Sequence, residues 1–261
     1  MKRAILLVAF GVGSAQGQSA LMHFDFLVRQ RYPGIPVRWA FSSHLLRERM
    51  TLARKKSDSV FKAVRRLALE RFAQVAVQPL QTIPGQEHAA VAAEVENAAA
   101  QDGIVCRIGA PLLATDDDVH DAARALVRHL PAERTAGEAV VFMGHGTRHE
   151  AVSRYADLAH AVRSHDSHVH VGAMCGAMTL DHILPLLTSA RVWLLPLLSV
   201  VGRHALQDMA GGGAYSWRSR IEACGRQCRP VLKGLAEHAE VAEIWLRHLD
   251  ACLGSLPGRS G

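Results

Sequence analysis

The sequence is poor in aromatic residues and has no long apolar run. Phe, Trp and Tyr make up 5% of the 261 residues, and no apolar stretch reaches the roughly 18 residues that a membrane-spanning helix needs. The run from Val192 to Val201 is short, and Pro196 interrupts it. We therefore expect a protein that does not cross a membrane. Nucleic-acid binding also has little support, because no basic stripe or aromatic platform is evident.

Cysteines are few, odd in number and scattered along the chain. Cys224 and Cys228 are separated by three residues, with no second cysteine pair to complete a structural zinc site. A chain of this size does not need disulfides to fold. The cysteines therefore indicate a reducing compartment, and we expect a cytoplasmic location. The five are Cys106, Cys175, Cys224, Cys228 and Cys252.

Histidine and positive charge are abundant. The chain has 15 His, and its 30 Lys and Arg exceed its 24 Asp and Glu to give a net charge of +6. Imidazole binds metal ions and titrates near neutral pH, and a net positive charge favours an anionic partner without choosing one. The hydrophobic content of 49% excludes a disordered chain.

Short apolar runs alternate with amphipathic segments along the whole chain. Because the apolar runs are continuous, this alternation predicts α/β architecture, with parallel sheets covered by helices on both faces. The predicted strands are Ala4–Phe10, Ile35–Phe41, Val75–Leu80, Ile104–Ile108, Ala139–Met143, Val171–Met174 and Val192–Leu197. The predicted helices are Gln16–Arg31, Val60–Phe72, Glu87–Ala100 and Val119–Leu130.

The second half of the chain repeats the first. A shift of 133 residues places Phe10–Ser14 on Met143–Thr147, and similar shifts align three further segments. We predict two similar α/β halves, residues 1–134 and 135–261, each with a four-stranded parallel sheet. Ligands of open parallel sheets bind beyond the carboxyl ends of the strands, so we expect a cleft between the halves at those ends.

The repeat also decides how the N-terminus is interpreted. A basic start followed by an apolar run imitates a secretory signal peptide. However, Ala4–Phe10 is the counterpart of the internal strand Ala139–Met143. It is therefore predicted to be the first strand of the fold.

Two histidines follow predicted strands of the second half. His145 lies between Gly144 and Gly146, and His204 lies in the loop after a later strand. Neutral imidazole is a suitable ligand for Co²⁺, Fe²⁺, Ni²⁺ and Zn²⁺. The two glycines have no side chain, so a large flat ligand or the opposite wall of the site could approach the imidazole closely. The aligned positions of the first half carry no histidine, which predicts an asymmetric site.

Several segments around these histidines resemble the anaerobic-type (class II) sirohydrochlorin cobaltochelatases. They are Val140–Gly146, Leu195–Ala210 and Ser216–Trp217, together with Phe10–Gly11 and Gly85–Glu87, and the resemblance covers nearly the whole chain in order. It implies insertion of Co²⁺ into sirohydrochlorin without ATP, for cobalamin synthesis. Such enzymes often accept Fe²⁺ too, which gives sirohaem. The implied fold is the chelatase fold, two α/β halves around a cleft.

The resemblance also implies partners and residue roles. The partners are sirohydrochlorin and a divalent ion, with no cofactor beyond this substrate metal; a homo-oligomer is left open. Metallation replaces two pyrrole protons with the ion, so His145 is the expected general base and metal ligand, and His204 the second ligand. Family members have a glutamate as third ligand where this chain has Cys175. That thiolate could replace it, the site could use two histidines and water, or Glu87 of the other half could supply the carboxylate.

The eight carboxylates of sirohydrochlorin give the positive charge a target. Arg148 and Arg203, close to the two histidines in sequence, are candidate partners for them; the alternative is that both face solvent. The remaining histidines are expected at exposed or edge positions without chemistry, including His129, His165, His168, His170 and His248.

Two rival functions stay open at this point. A non-catalytic tetrapyrrole or metal carrier could use the same cleft. Phosphoryl transfer through a phosphohistidine is the other rival, but Gly144 stands where that motif needs a phosphate-binding arginine.

Overall fold

Two parallel sheets form the framework of the protein. The computed structural model describes residues 2–52, 57–147 and 150–258. The first sheet contains β1 (Arg3–Ala9), β2 (Val37–Phe41), β3 (Gln74–Pro79) and β4 (Val105–Ile108), in the order β2-β1-β3-β4. The second contains β5 (Ala139–Gly144), β6 (Val169–Ala173), β7 (Arg191–Leu197) and β8 (Gln227–Pro230), in the order β6-β5-β7-β8. The second order repeats the first, which confirms the predicted α/β fold of two four-stranded parallel sheets.

Helices connect the strands and cover both faces of each sheet. They are α1 (Ala15–Arg31), α2 (His44–Leu52), α3 (Val60–Leu69), α4 (Gln86–Asp102), α5 (Asp116–Arg128), α6 (Ser153–His165), α7 (Leu180–Ile183), α8 (Trp217–Ala223) and α9 (Ala239–Gly254). A π-helix spans His204–Met209, and 3-10 turns span Glu150–Val152, Leu184–Leu186 and Leu235–Glu237. In the part of the chain that the structure describes, no helix is long and apolar enough to cross a membrane.

The central strands β1, β3, β5 and β7 bury both faces because their side chains alternate between two cores. In β1, Leu6 and Val8 pack with α3 and α4 in an outer cluster, whereas Ile5 and Leu7 point into a central cluster. The second sheet does the same, with Val141 in its own outer cluster beside α7 and α8. This arrangement explains why the strands are continuously apolar in sequence.

The central cluster joins the two halves. Helix α9 packs on β3 and β4 of the first sheet, and α5 packs on α6 beside the second sheet. Trp245 of α9 is fully buried and meets Phe24 of α1 edge to face, with ring centroids 6.1 Å apart. The boundary at residues 134 and 135 separates the two sheets, but the helices around them are shared. The division into two domains therefore stays a prediction.

The structure corrects the expectation for three histidines. His170 lies inside β6 and is 6% exposed, because it is an inward-facing position of a covered sheet. On α9, the Nε2 atom of His248 lies 3.0 Å from an Asp118 carboxylate oxygen, which ties α9 to α5. The ring of His129 contacts that of His238, with centroids 5.0 Å apart. His170 thus lies in the edge strand β6, as expected, but is buried, and His129 and His248 are half-buried instead of exposed.

Candidate metal and tetrapyrrole site

The two predicted histidines converge at the carboxyl ends of the second sheet. His145 follows β5, and His204 follows β7, which is paired with β5. The centroids of the two imidazole rings are 5.0 Å apart, and the ring planes are inclined by 72°. His145 is exposed and His204 is partly exposed, so both rings can be reached from the cleft. The sequence placed both histidines at strand ends; the fold brings them together.

The glycines beside His145 fix the turn that presents it. Gly146 has φ +84°, and a Cβ atom built on it would lie 2.2 Å from the carbonyl oxygen of Cys175. A Cβ atom on Gly144 would lie 2.4 Å from the ring of Tyr155. The space beside these glycines is thus filled by protein, and both residues are buried. Of the two expected neighbours, it is protein that approaches these glycines, and they hold the loop that carries His145.

Tyr155 of α6 is hydrogen-bonded to this loop. Its hydroxyl accepts a hydrogen bond from the backbone N–H of Gly146 at 3.3 Å. Burial raises the pKa of Tyr155 to about 12, and the charges of Glu87 and Cys175 add to the effect. The phenol therefore stays neutral and acts as a fixed support for the loop.

Both imidazoles are oriented through their Nδ1 atoms. Nδ1 of His204 lies 2.6 Å from an Asp208 carboxylate oxygen, and Nδ1 of His145 lies 3.2 Å from the carbonyl oxygen of Gly146. An oxygen acceptor at Nδ1 requires the proton on that atom and leaves the Nε2 lone pair for a metal ion. The site can therefore offer two neutral nitrogen ligands.

Cys175 does not complete a three-ligand site with the two histidines. Its thiol donates to the carbonyl oxygen of His145 at 3.6 Å. Over residues 2–52, 57–147 and 150–258, no three His, Cys, Asp or Glu side chains are grouped closely enough to hold an ion. Cys175 follows β6 at the same edge of the sheet, but it reaches the main chain of His145 instead of the ring. Among the described residues, this geometry favours the alternative of two histidines and water, and a ligand role for Cys175 stays a prediction.

The first half contributes Glu87 and a hydrogen bond to the loop after β7. Glu87 lies exposed in the first turn of α4, and its charge acts on Tyr155 of the second half. The hydroxyl of Ser14, after β1, donates to the carbonyl oxygen of Val201 in the loop after β7. Val12, which aligns with His145 in the repeat, is buried in the core. The site is therefore asymmetric, with its imidazoles on one side and a carboxylate on the other.

The structure describes one of the two candidate arginines. Arg203 is exposed next to His204, and its Nε donates to the side chain of Gln207 at 2.8 Å. Arg148 lies outside the described residues.

Sequence reasoning missed the support that Tyr155 gives to the loop and the contact between Asp208 and His204. A spacing of four residues was the available signal for Asp208, since such residues lie on one helix face.

The architecture is that of the chelatase fold. SirB from Bacillus subtilis with Fe³⁺ superposes with a TM-score of 0.68 at 16% identity, covering 97% of this chain and 96% of that chain. CbiX, the terminal enzyme for biosynthesis of siroheme in denitrifying bacteria, gives a TM-score of 0.55 at 16% identity, over 95% of this chain and 99% of that one. At such low identity the likeness shows the chelatase fold alone.

Sequence comparison places the chain more narrowly. The family model "Cobalt chelatase (CbiK)" matches residues 3–253. Sirohydrochlorin cobaltochelatase CbiKC of Nitratidesulfovibrio vulgaris is 54% identical over 259 residues, 98% of this chain and 92% of that protein. The sirohydrochlorin cobaltochelatase of Salmonella typhimurium is 30% identical over 263 residues, 97% of each chain. The chain belongs to the cobalt chelatase (CbiK) family, which confirms the resemblance noted in the sequence.

Proposed function

We propose that the protein is a sirohydrochlorin cobaltochelatase, an enzyme that inserts Co²⁺ into sirohydrochlorin without ATP. The observation that carries the proposal is the pair of imidazoles, with centroids 5.0 Å apart, at the carboxyl ends of β5 and β7 in a chain of this family. The substrate and the metal are inferred from relatives that are named sirohydrochlorin cobaltochelatases.

The histidine pair receives the incoming ion. With Nδ1 of each ring facing an oxygen, the Nε2 atoms of His145 and His204 bind Co²⁺ as neutral ligands. Two protein ligands leave the other coordination positions of the ion to water. The pyrrole nitrogens then replace the water and the histidine ligands. A chelatase must release its metal to the macrocycle, so a closed four-ligand protein site would work against the reaction.

Insertion also requires an acceptor for two protons. One divalent ion enters and two pyrrole N–H protons leave, so charge balances when both protons reach solvent. His145 is the more exposed imidazole, and we assign it as the general base that takes a pyrrole proton once Co²⁺ has passed to the macrocycle. Glu87 lies in the opposite half, where it can accept the second proton or carry it to water.

Charged and apolar groups around the cleft fit a flat polyanion. Arg203 and Arg148 are the proposed partners of the substrate carboxylates. Phe10 after β1 and Leu206 on the π-helix are 44% and 41% exposed, and their apolar surfaces suit the faces of the macrocycle. The five free thiols support a reducing, cytoplasmic location as part of the proposal.

The test is a spectrophotometric insertion assay with purified protein, sirohydrochlorin and Co²⁺. We expect His145→Ala and His204→Ala each to lower the rate by about 100-fold or more, as loss of a general base or ligand does. His165→Ala is the matched control, because His165 is exposed at the far end of α6. Full activity in both site variants would refute the assignment. A spectral change that stops at one equivalent of protein would indicate a carrier. Parallel assays with Fe²⁺ compare the two metals.

A further inference from the structure

We infer that Asp208 is a positioning residue for metal delivery: its carboxylate holds the ring of His204 so that Nε2 faces the incoming divalent ion. The inference rests on the proposed function, because it concerns the same histidine pair. It adds a residue to that site and separates the roles of its two imidazoles.

The geometry of the pair is the first step. Oδ2 of Asp208 lies 2.6 Å from Nδ1 of His204, which is the length of a strong, charge-assisted hydrogen bond. Both residues belong to the π-helix, so their spacing is set within a single element. Ala205 and Met209 of that helix are fully buried, which fixes the backbone of the pair to the core below β7. Helices of the π type are rare and are frequently found at functional sites.

The second step is the choice of tautomer. An ionised carboxylate only accepts hydrogen bonds, so Nδ1 of His204 must carry the proton and Nε2 must keep its lone pair. A carboxylate behind a metal-binding imidazole also raises its basicity and prevents rotation of the ring. Asp208 has His204 as its hydrogen-bond partner among the described residues, whereas the neighbouring Arg203 bonds to Gln207.

The third step is the contrast with His145. Its Nδ1 atom faces the neutral carbonyl oxygen of Gly146 at 3.2 Å, a longer contact with an uncharged acceptor. His204 is therefore the more firmly oriented ligand of the two. In a transfer reaction, this makes His204 the residue that captures the ion and leaves His145 freer to exchange it with the macrocycle.

The experiment measures Co²⁺ binding in the absence of tetrapyrrole. The full-length protein is titrated with Co²⁺, and the visible absorption of the bound ion gives its Kd. We expect Asp208→Ala to raise the Kd by about 10- to 100-fold, the usual effect of removing such a partner. We expect a smaller increase for Asp208→Asn, because an amide oxygen still accepts the Nδ1 proton but carries no charge. In insertion assays, Asp208→Ala should raise KM for Co²⁺ more than it lowers kcat.

The control is Glu222→Ala, which removes another exposed carboxylate from an i, i+4 pair, here with Arg218. A Kd of Asp208→Ala within twofold of this control would overturn the inference, and so would equal effects of Asp208→Ala and Asp208→Asn. Failure of the proposed function looks different: the unmodified protein would then give no Co²⁺ insertion above the uncatalysed rate. If both histidine variants lose activity while Asp208→Ala binds Co²⁺ normally, the inference alone is wrong.

Discussion

Replacing Gly146 by alanine tests whether the turn after β5 sets the geometry of the site. The residue has φ +84°, and its added Cβ atom would lie 2.2 Å from the carbonyl oxygen of Cys175, where ordinary contacts begin at 3.4 Å. The two loops must therefore separate by about 1 Å, and His145 must move with them. A displacement of about 1 Å can reduce the rate of a positioned reaction by about 100-fold.

The expected cost in stability has two parts. A non-glycine residue in the left-handed region costs about 1–2 kcal/mol, and forcing an extra methyl group into a packed contact adds about 1–3 kcal/mol. Gly137→Ala isolates the cost of the left-handed backbone, because Gly137 has φ +85° and nothing lies within 4 Å of the added Cβ atom. Urea unfolding followed by circular dichroism should show the larger loss of unfolding free energy for Gly146→Ala.

The two alanine variants should also differ in function. We expect Gly137→Ala to keep the wild-type rate of Co²⁺ insertion and Gly146→Ala to lose most of it at saturating substrate. If Gly146→Ala is as stable as Gly137→Ala and inserts Co²⁺ at the wild-type rate, the contact with Cys175 does not position His145, and the reasoning fails.

Three further predictions concern other parts of the molecule. Tyr155→Phe leaves the buried N–H of Gly146 without its acceptor, so unfolding free energy should fall by about 1–3 kcal/mol; an unchanged urea midpoint would contradict this. Cys175→Ser should change the Kd for Co²⁺ by less than threefold, since the thiol contacts main chain. Loss of Co²⁺ binding in this variant would show instead that Cys175 is a metal ligand. Burial, followed by nearby positive charge, lowers the pKa of His170 to about 4. The unfolded chain therefore takes up this proton at a higher pH than the folded one, and stability should fall as pH drops from about 6.5 to 4. The His170→Asn variant should show a smaller fall in urea midpoint over that range than His165→Asn, and equal slopes would contradict the assignment.

Much of the fold could be predicted because its signals are local. The apolar run before His145 and its counterpart near the N-terminus identify buried strands, and their repeated order predicts two similar sheets. Helix ends were predictable where side chains cap them. The acidic start of α5 is an example, since Thr115 and Asp118 form a capping box there. Helix α2 was not among the predicted elements.

The site was predictable in part. A histidine at the end of a parallel strand points to the ligand-binding edge of the sheet wherever the strand lies, so His145 and His204 could be named. The role of Cys175 could not be decided, because a thiol at the right edge may face a ring or a backbone carbonyl, and the difference is a few ångströms. The pairing of His204 with Asp208 likewise depends on the conformation of one turn.

By itself, the sequence determined the α/β class, the repeat, the family and the two histidines, because hydrophobic alternation and strand-end positions are properties of short segments. Only the tertiary structure decided that the rings of His145 and His204 are 5.0 Å apart, that Cys175 contacts main chain and that α9 packs on the first sheet. These features join residues that are distant along the chain. Their distances are set by how two sheets pack through one shared core, which no local pattern records.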